Sequence, residues 1–582
     1  MKWQPFLSVV LLLAIASVAT IAQTPTPTPS PRPTTISESA PQTAPEKLIG
    51  VPVIAPDLRS DDRSLPELGR VGVNLLDQRT LTLEEAIAMA LENNADIEVS
   101  RKNVKIAEFD VRAARGVFQP RLTGITSYER ATSPNVSIFS TNSETTQTSL
   151  IGNLGITGFI PSFGTILRAD VTNQRLTTTN PISILSPQNN ATLGFTITQP
   201  IFRGRDFDQN RRTIEIAKRN LSLTDAQFRQ KTIETIVNVQ RAYWDLVFAL
   251  RNLQVQRDSV RDAKEQYEHN KRLVDQGQLA PIDIVAAETQ VANFEQAVYD
   301  ALNDVNQAEN SLKNIIAPNK DAAIWNQALT PIDPVELRPP NTTLGEALDL
   351  ALANRPELEL NQLQLDINRI DRRFYSELRK PQIDLVLGYT SAGVGGARNP
   401  NFRTPFPLPC QQDPNSPACR QQLENLALLT GNAYSGIFDN RYPTYRAGVQ
   451  INLPLFGDRT ANAQYGRSLV EGERLETQRA QIEQLIQIDV RNSLQALRSA
   501  EARLRAAAIA RENSGKQYES ERRKLDVGQS DIYKVLERQT AYAAARSAEL
   551  RAQTELNKTI ANLQRAMGNS LKANNIQARL RR

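Results

Sequence analysis

The sequence has few of the residue types that most often build reactive sites. Its 582 residues include only two cysteines, one histidine and three tryptophans. The single histidine, His269, falls on a charged part of a long predicted helix, so a metal centre has little support. The chain also lacks a phosphate-binding glycine loop, a Ser/His/Asp set and a cluster of metal-ligand residues. We therefore predict a protein that is not an enzyme and needs neither cofactor nor metal.

The sequence also lacks a strong charge imbalance. Its formal net charge is only +5, with 23% charged and 40% hydrophobic residues. Lys and Arg are interleaved with Asp and Glu along the predicted helices, which indicates solvated helix faces rather than a surface for nucleic acid. The hydrophobic content excludes wholesale disorder.

Long apolar runs are absent beyond the N-terminus. Residues 1–22 combine Lys2, an apolar core and a small-residue cleavage site before Gln23, as a secretory signal peptide does. The alternative is a membrane anchor, but the run is shorter than the ~20 residues that a bilayer span needs. Residues 23–80 begin with alternating Thr and Pro, and this composition predicts a flexible tether.

The two cysteines agree with export. Cys410 and Cys419 lie in a segment rich in Pro and Asn. In an oxidising compartment, a disulfide between them is favoured over two free thiols.

A seven-residue hydrophobic repeat dominates the rest of the chain. One column of side chains consists of Val239, Leu246, Leu253, Val260, Tyr267 and Val274. Such a seam predicts a coiled-coil helix, here over about 207–276, that ends at Gly277. A helix of that length would be a rod on the order of 100 Å long.

This rod is duplicated. The same column recurs 251 residues later as Val490, Leu497, Leu504, Arg511, Tyr518 and Leu525, and Gly277 corresponds to Gly528. Earlier helices also correspond, with Glu85 and Glu346 at matching positions. The pattern predicts tandem repeats at 81–330 and 331–568 and a C-terminal tail at 569–582. The rods span about 207–276 and 459–526, and the returning helices about 281–316 and 531–567.

Alternating hydrophobicity follows the first helix of each repeat. It predicts strands at about 121–130, 149–159, 165–175 and 191–202 in the first repeat, and at 382–391 and 445–455 in the second. A soluble sandwich would have the same alternation. The signal peptide and the rods favour a membrane β-barrel.

Together these elements resemble the TolC family of outer-membrane efflux proteins. The resemblance rests on Leu83-Glu84-Glu85-Ala86 and its echo Leu344-Gly345-Glu346-Ala347, on Gln199-Pro200-Ile201-Phe202, and on the two glycine turns. It implies a mainly α fold whose trimer joins an α-barrel tunnel to a shared membrane β-barrel.

The resemblance also implies a function and a location. The chain would be the outer-membrane exit duct of a tripartite efflux or type I secretion system, working with a periplasmic adaptor (membrane fusion protein) and an inner-membrane pump. Its barrel would contact outer-membrane lipid and its helical tunnel would lie in the periplasm. The alternative is a periplasmic coiled-coil adaptor or scaffold without a membrane barrel.

Several residues acquire expected roles from the resemblance. The turns dock the adaptor in the family, and they correspond here to Gly277, Gln278, Leu279, Val527, Gly528 and Gln529. The glycines are equally explained by the backbone turn alone. The pore gate corresponds to Asp283, Ser530, Lys534 and Glu537.

The gate departs from the family pattern. Ser530 and Leu525 replace an arginine and a tyrosine, while Lys534 and Glu537 replace two aspartates. Cation selectivity is therefore not implied. Lys534 is the nearest basic candidate to hold Asp283 or Glu537, whereas packing of Leu279, Leu525 and Tyr533 is the uncharged alternative.

Two further expectations concern the strands and their loops. The hairpin at 149–172 would give six strands per chain in place of the family's usual four, unless it folds as a plug or lies on the periplasmic side. The cysteine loop would lie outside the cell.

Overall fold

A computed structural model describes residues 69–135, 143–335, 339–403, 407–454 and 457–576. The predicted signal peptide and most of the predicted tether lie outside these ranges. The helices are α1 (Leu83–Asn93), α2 (Ala95–Arg115), α3 (Gln209–Asp275), α4 (Ile282–Ile316), α5 (Leu344–Asn354), α6 (Pro356–Leu378), α7 (Pro409–Gln412), α8 (Pro417–Leu429), α9 (Ala433–Phe438), α10 (Arg459–Asp526), α11 (Ile532–Ala566) and α12 (Ser570–Ala573). The strands are β1 (Asn74–Leu81), β2 (Arg121–Pro134), β3 (Glu144–Ile160), β4 (Thr165–Thr178), β5 (Leu185–Pro200), β6 (Gln327–Pro331), β7 (Gln382–Arg398) and β8 (Tyr442–Asn452).

The two repeats begin with the same helix start. Thr82 caps α1, and its side chain accepts a hydrogen bond from the Glu85 N–H (3.1 Å) while the Glu85 carboxylate accepts from the Thr82 N–H (3.0 Å). Thr343 and Glu346 form the same reciprocal pair at α5. This capping box explains the matched glutamates without a catalytic role.

Two consecutive helices start each repeat, α1 and α2 in the first and α5 and α6 in the second. The Asn94 side chain accepts hydrogen bonds from the N–H groups of Asp96 and Ile97 and so starts α2 afresh. In the second repeat, Pro356 occupies the first turn of α6. The break between the two helices of each repeat therefore lies at a residue that is favoured at a helix start and disfavoured in a helix interior.

The predicted seam is buried along the middle of α3. Val239, Leu246 and Leu253 are buried there. Nearer the turn the buried positions are Ser259, Ala263, Gln266 and Asn270, and the Gln266 amide donates to the Asn270 side chain (2.8 Å). Val260 still packs against Ala263 and Phe294, so polar side chains replace the predicted seam only nearer the turn, around Tyr267.

The six long strands form one antiparallel sheet in the order β2-β3-β4-β5-β7-β8. Five of them are longer than predicted, whereas β8 has the predicted length of 11 residues but begins three residues earlier. The hairpin at 149–172 lies inside this sheet as parts of β3 and β4, between β2 and β5. The chain thus has six strands in the sheet, as the alternation predicted.

The sheet has two chemically different faces, which the continuous pairing registers define. The apolar face carries exposed hydrophobic side chains: Leu154, Ile156, Leu167, Val171, Phe195, Ile197, Leu387, Tyr445 and Val449. The polar face carries Glu129, Asn153, Arg168, Asp170, Thr172, Asp384, Arg446 and Gln450. Such alternation arises because successive side chains of a strand point to opposite faces.

A helical insert, described at residues 399–403 and 407–441, lies between β7 and β8 where the sequence predicted only a loop. It contains α7, α8 and α9, and a disulfide joins Cys410 to Cys419. Helix α9 packs Ala433 and Ile437 against Ala191 and Leu193 on the apolar face. The insert therefore rests on the sheet.

A second small sheet corrects the predicted extent of the tether. Strand β1, at residues 74–81, pairs in parallel with β6. The predicted C-terminal tail is also partly folded. Ser570 is fully buried, and Ile576 packs against the main helical core. Residues 577–582 lie outside the described ranges.

Two buried charges on α4 hold β6. Glu309 and Lys313 are both fully buried. The Glu309 carboxylate accepts from the Leu329 N–H (2.6 Å) and from Arg70 (2.6 Å), and the Lys313 ammonium donates to the carbonyls of Trp325 and Gln327 (3.0 and 2.6 Å). Burial lowers the pKa of Lys313.

Within the described ranges, no helix is both long enough and apolar enough to cross a membrane.

Candidate functional site

The turns that join the paired long helices share one backbone geometry. At the first turn, Gly277 has φ of 71°, and the N–H groups of Gly277 and Gln278 donate to the carbonyls of Val274 and Leu273. At the second, Gly528 has φ of 72°, and the N–H groups of Gly528 and Gln529 donate to Leu525 and Lys524. Both are Schellman motifs, in which a left-handed residue satisfies the last carbonyls of a helix.

The turn residues are accessible. Gly277, Gln278, Gly528 and Gln529 are exposed, Val527 is 67% exposed and Leu279 is half-buried. A Cβ added to either glycine would meet no atom within 4 Å. The positive φ alone therefore explains the glycines, and the surrounding space is open to a partner.

The predicted gate residues make local contacts at the two turns. The Asp283 carboxylate accepts from the Ala280 N–H (3.1 Å), at the start of α4. The Lys534 ammonium lies 2.9 Å from Asp531, and the Ser530 hydroxyl donates to Glu521. Within the protomer, Lys534 therefore pairs with Asp531 rather than with Asp283 or with Glu537, which is exposed.

These contacts set the electrostatics of the second turn. The hydrogen bond with Asp531 raises the pKa of Lys534 and that with Lys534 lowers the pKa of Asp531, while the hydrogen bond from Ser530 lowers the pKa of Glu521. Sequence reasoning did not assign roles to Glu521 and Asp531. The spacing of Asp531 and Lys534 at a helix start was the available signal for Asp531. No comparable local signal marks Glu521, nine residues before Ser530.

Apolar packing fixes the second turn from inside. Leu525 is buried in a cluster with Ile532 and Val535, against which Ala286 of α4 packs. Tyr533, a member of the predicted packed gate, is instead 59% exposed. Leu525 thus holds the hairpin together, and Tyr533 remains accessible.

Polar contacts hold the two helical hairpins side by side. Arg546 of α11 donates to Asp258 of α3 (3.0 Å), and the Gln290 amide of α4 donates to the Thr540 hydroxyl of α11 (2.9 Å). Because both turns end adjoining helices, one protomer presents two matched turns together.

Comparisons with known proteins agree with this arrangement. The sequence profile of the family described as "outer membrane efflux protein" matches residues 157–317 and 347–569, which is more than half of the chain. No individual curated protein matches it.

Solved structures are similar over most of their length. CusC, from a study of folding and transmembrane channel formation, has a TM-score of 0.59 at 15% identity. The aligned region covers 83% of this chain and 91% of the CusC chain. The CmeC outer membrane channel of Campylobacter jejuni has a TM-score of 0.58 at 14% identity, covering 84% and 86%. The open MtrE outer membrane channel of Neisseria gonorrhoeae has a TM-score of 0.53 at 15% identity, covering 88% and 95%.

Proposed function

Because the chain belongs to the outer membrane efflux protein family, a family of outer-membrane channels, we propose that it is the exit duct of a tripartite efflux or type I secretion system. The family membership confirms the predicted resemblance and the predicted outer-membrane location, and the related structures confirm the predicted fold. In our proposal an inner-membrane pump and a periplasmic adaptor deliver the cargo to the duct. The observation that carries this proposal is the pair of matched, exposed helical turns.

The duct is a homotrimer in our proposal, and the sheet supports this. Its two edge strands, β2 with 14 residues and β8 with 11, are exposed along their whole length. Long open edges pair with other strands unless something covers them. Pairing β8 of one copy with β2 of the next closes the sheet by cyclic symmetry. The closed barrel has the apolar face outward and the polar face inward.

The turns dock the adaptor in our proposal, and a photo-crosslinking amino acid tests this in the native host. At Val527, on the exposed second turn, we expect capture of a periplasmic protein that contains a helical hairpin. Ile509, 60% exposed on the same helix α10 and about 25 Å before its end, is the matched control and should capture far less. Equal capture at both positions, or none at Val527, would contradict docking at the turns.

The gate proposal predicts opposite changes in ion selectivity for two variants. The purified trimer should conduct in a planar bilayer, and a scaffold without a barrel would not. If Lys534 and Glu537 line the pore, Lys534→Ala raises the cation-to-anion permeability ratio and Glu537→Ala lowers it, each by at least about twofold. Arg474→Ala, which removes an equally exposed cation near the other end of α10, should leave the ratio unchanged. Unchanged ratios in both gate variants would favour closure by packing of Leu279, Leu525 and Tyr533.

A further inference from the structure

The helical insert lies on the outward side of the proposed barrel. Its contacts are with odd-numbered residues of β5 and β7, and these residues share a face with Phe195, Leu387 and Tyr445. The Ser391 hydroxyl donates to the Ile437 carbonyl (2.8 Å) on this same face. The insert therefore covers part of the apolar face and does not enter the polar interior.

Glycines let the insert sit directly on the strands. A Cβ on Gly393 or Gly395 of β7 would overlap backbone atoms of Ala433 and Gly431, and a Cβ on Gly436 of α9 would overlap Gly393. The Asn173 amide of β4 donates to the Tyr434 hydroxyl (2.6 Å) and ties the insert to the additional hairpin. The contacts thus fix the insert over β4, β5 and β7.

The insert carries several exposed apolar side chains. Phe438 is 85% exposed, more than any other aromatic side chain in the described residues. Leu423, Leu428 and Tyr434 are 55%, 47% and 44% exposed. Exposed apolar groups of this kind, grouped on one segment, indicate a surface that meets an apolar partner.

The position of the insert favours lipid as this apolar partner over a second copy of the chain. It lies over interior strands of the sheet, so pairing of copies along β2 and β8 leaves it uncovered. Its apolar groups continue the apolar face, which is the lipid-facing surface of the proposed barrel. Strand β7 leaves the helical region at Gln382 and reaches the insert after Arg398, so the insert lies at the end of the barrel remote from the helices.

We propose that the insert is an interfacial anchor whose Phe438, Tyr434 and Leu423 enter the outer leaflet of the outer membrane around the barrel. Aromatic side chains are favoured at that depth because their rings are apolar while their edges tolerate water. This inference rests on the proposed function, since it needs the apolar face to contact lipid.

Spin labels test the anchor in the full-length protein reconstituted into phospholipid nanodiscs. Both native cysteines are in the disulfide, so one introduced cysteine is the only thiol that reacts. We expect labels at Phe438→Cys and Leu423→Cys to collide with oxygen in preference to a water-soluble nickel chelate. Their ratio should match that at Leu154→Cys on the apolar face and exceed that at Ile509→Cys on α10 by at least about fivefold.

The two controls separate the possible failures. A water-like ratio at positions 438 and 423 with a lipid-like ratio at 154 would overturn the anchor and leave the barrel intact. A water-like ratio at 154 as well would overturn the barrel itself. Labels at 438 and 423 that neither reagent reaches would show that protein covers the insert, which would also overturn the anchor.

Discussion

Replacing Glu309 with alanine is expected to lower the free energy of unfolding of the helical region by about 3–5 kcal/mol, the usual cost of leaving a buried charge without its partner. Lys313 is fully buried and Arg70 is nearly so, and both would lose the Glu309 carboxylate as their ion-pair partner. The Leu329 N–H loses its acceptor as well. Denaturant unfolding of the detergent-solubilised protein, followed by circular dichroism, measures this loss.

A surface glutamate of the same helix provides the control. Glu295 pairs with Lys264 at 2.7 Å, but both side chains are substantially exposed. Because water screens such a pair, Glu295→Ala should cost only about 0–1 kcal/mol. Similar losses in the two variants would mean that the buried network contributes no more than a surface ion pair.

Replacing Gly393 with valine is expected to detach the insert from the sheet. The new side chain would overlap the Ala433 backbone, which cannot move aside while α9 stays docked. Re-exposing Ala433 and Ile437 costs on the order of 2–3 kcal/mol, so amide hydrogen exchange within α9 should quicken by at least about tenfold. Hydrogen-exchange mass spectrometry of the α9 peptides measures this change.

Gly448 of β8 is the matched position for this test. A Cβ there meets no atom within 4 Å, so Gly448→Val should leave exchange in α9 unchanged. If Gly393→Val also left it unchanged, the glycines of β7 would not be what allows the insert to dock.

The sequence predicted those elements whose formation depends on residues close together in the chain. Thr82 with Glu85, and Thr343 with Glu346, start helices through contacts three residues apart. Gly277 and Gly528 end the long helices through their own backbone conformation. The 149–172 hairpin was visible for the same reason, because its alternation lies in the two strands themselves.

Features that depend on distant partners were harder to predict. The buried Gln266 and Asn270 near the first turn look like surface residues until the neighbouring helices are in place. Strand β1 forms because β6, about 250 residues further on, offers its edge. The insert docks because Gly393 and Gly395 leave room for it, and no repeat or periodicity marks that role. The pairing of Lys534 with Asp531 does not follow from the family resemblance, which assigns Asp283 to the gate.

The two additional strands of each chain affect how the barrel would join the helical tunnel in the trimer that we propose. Four helices of each protomer adjoin the sheet: α2 and α6 run into it, and α3 and α10 leave it. Twelve helices spaced ~8–10 Å apart form a ring with a perimeter of about 100–120 Å. Strands ~4.8 Å apart and tilted by ~40° each occupy about 6 Å of perimeter, so eighteen span about 110 Å whereas twelve span about 75 Å. With six strands per protomer, the proposed trimer would have a ring of strands with about the same perimeter as its ring of helices, so the channel would keep its width where the two rings meet.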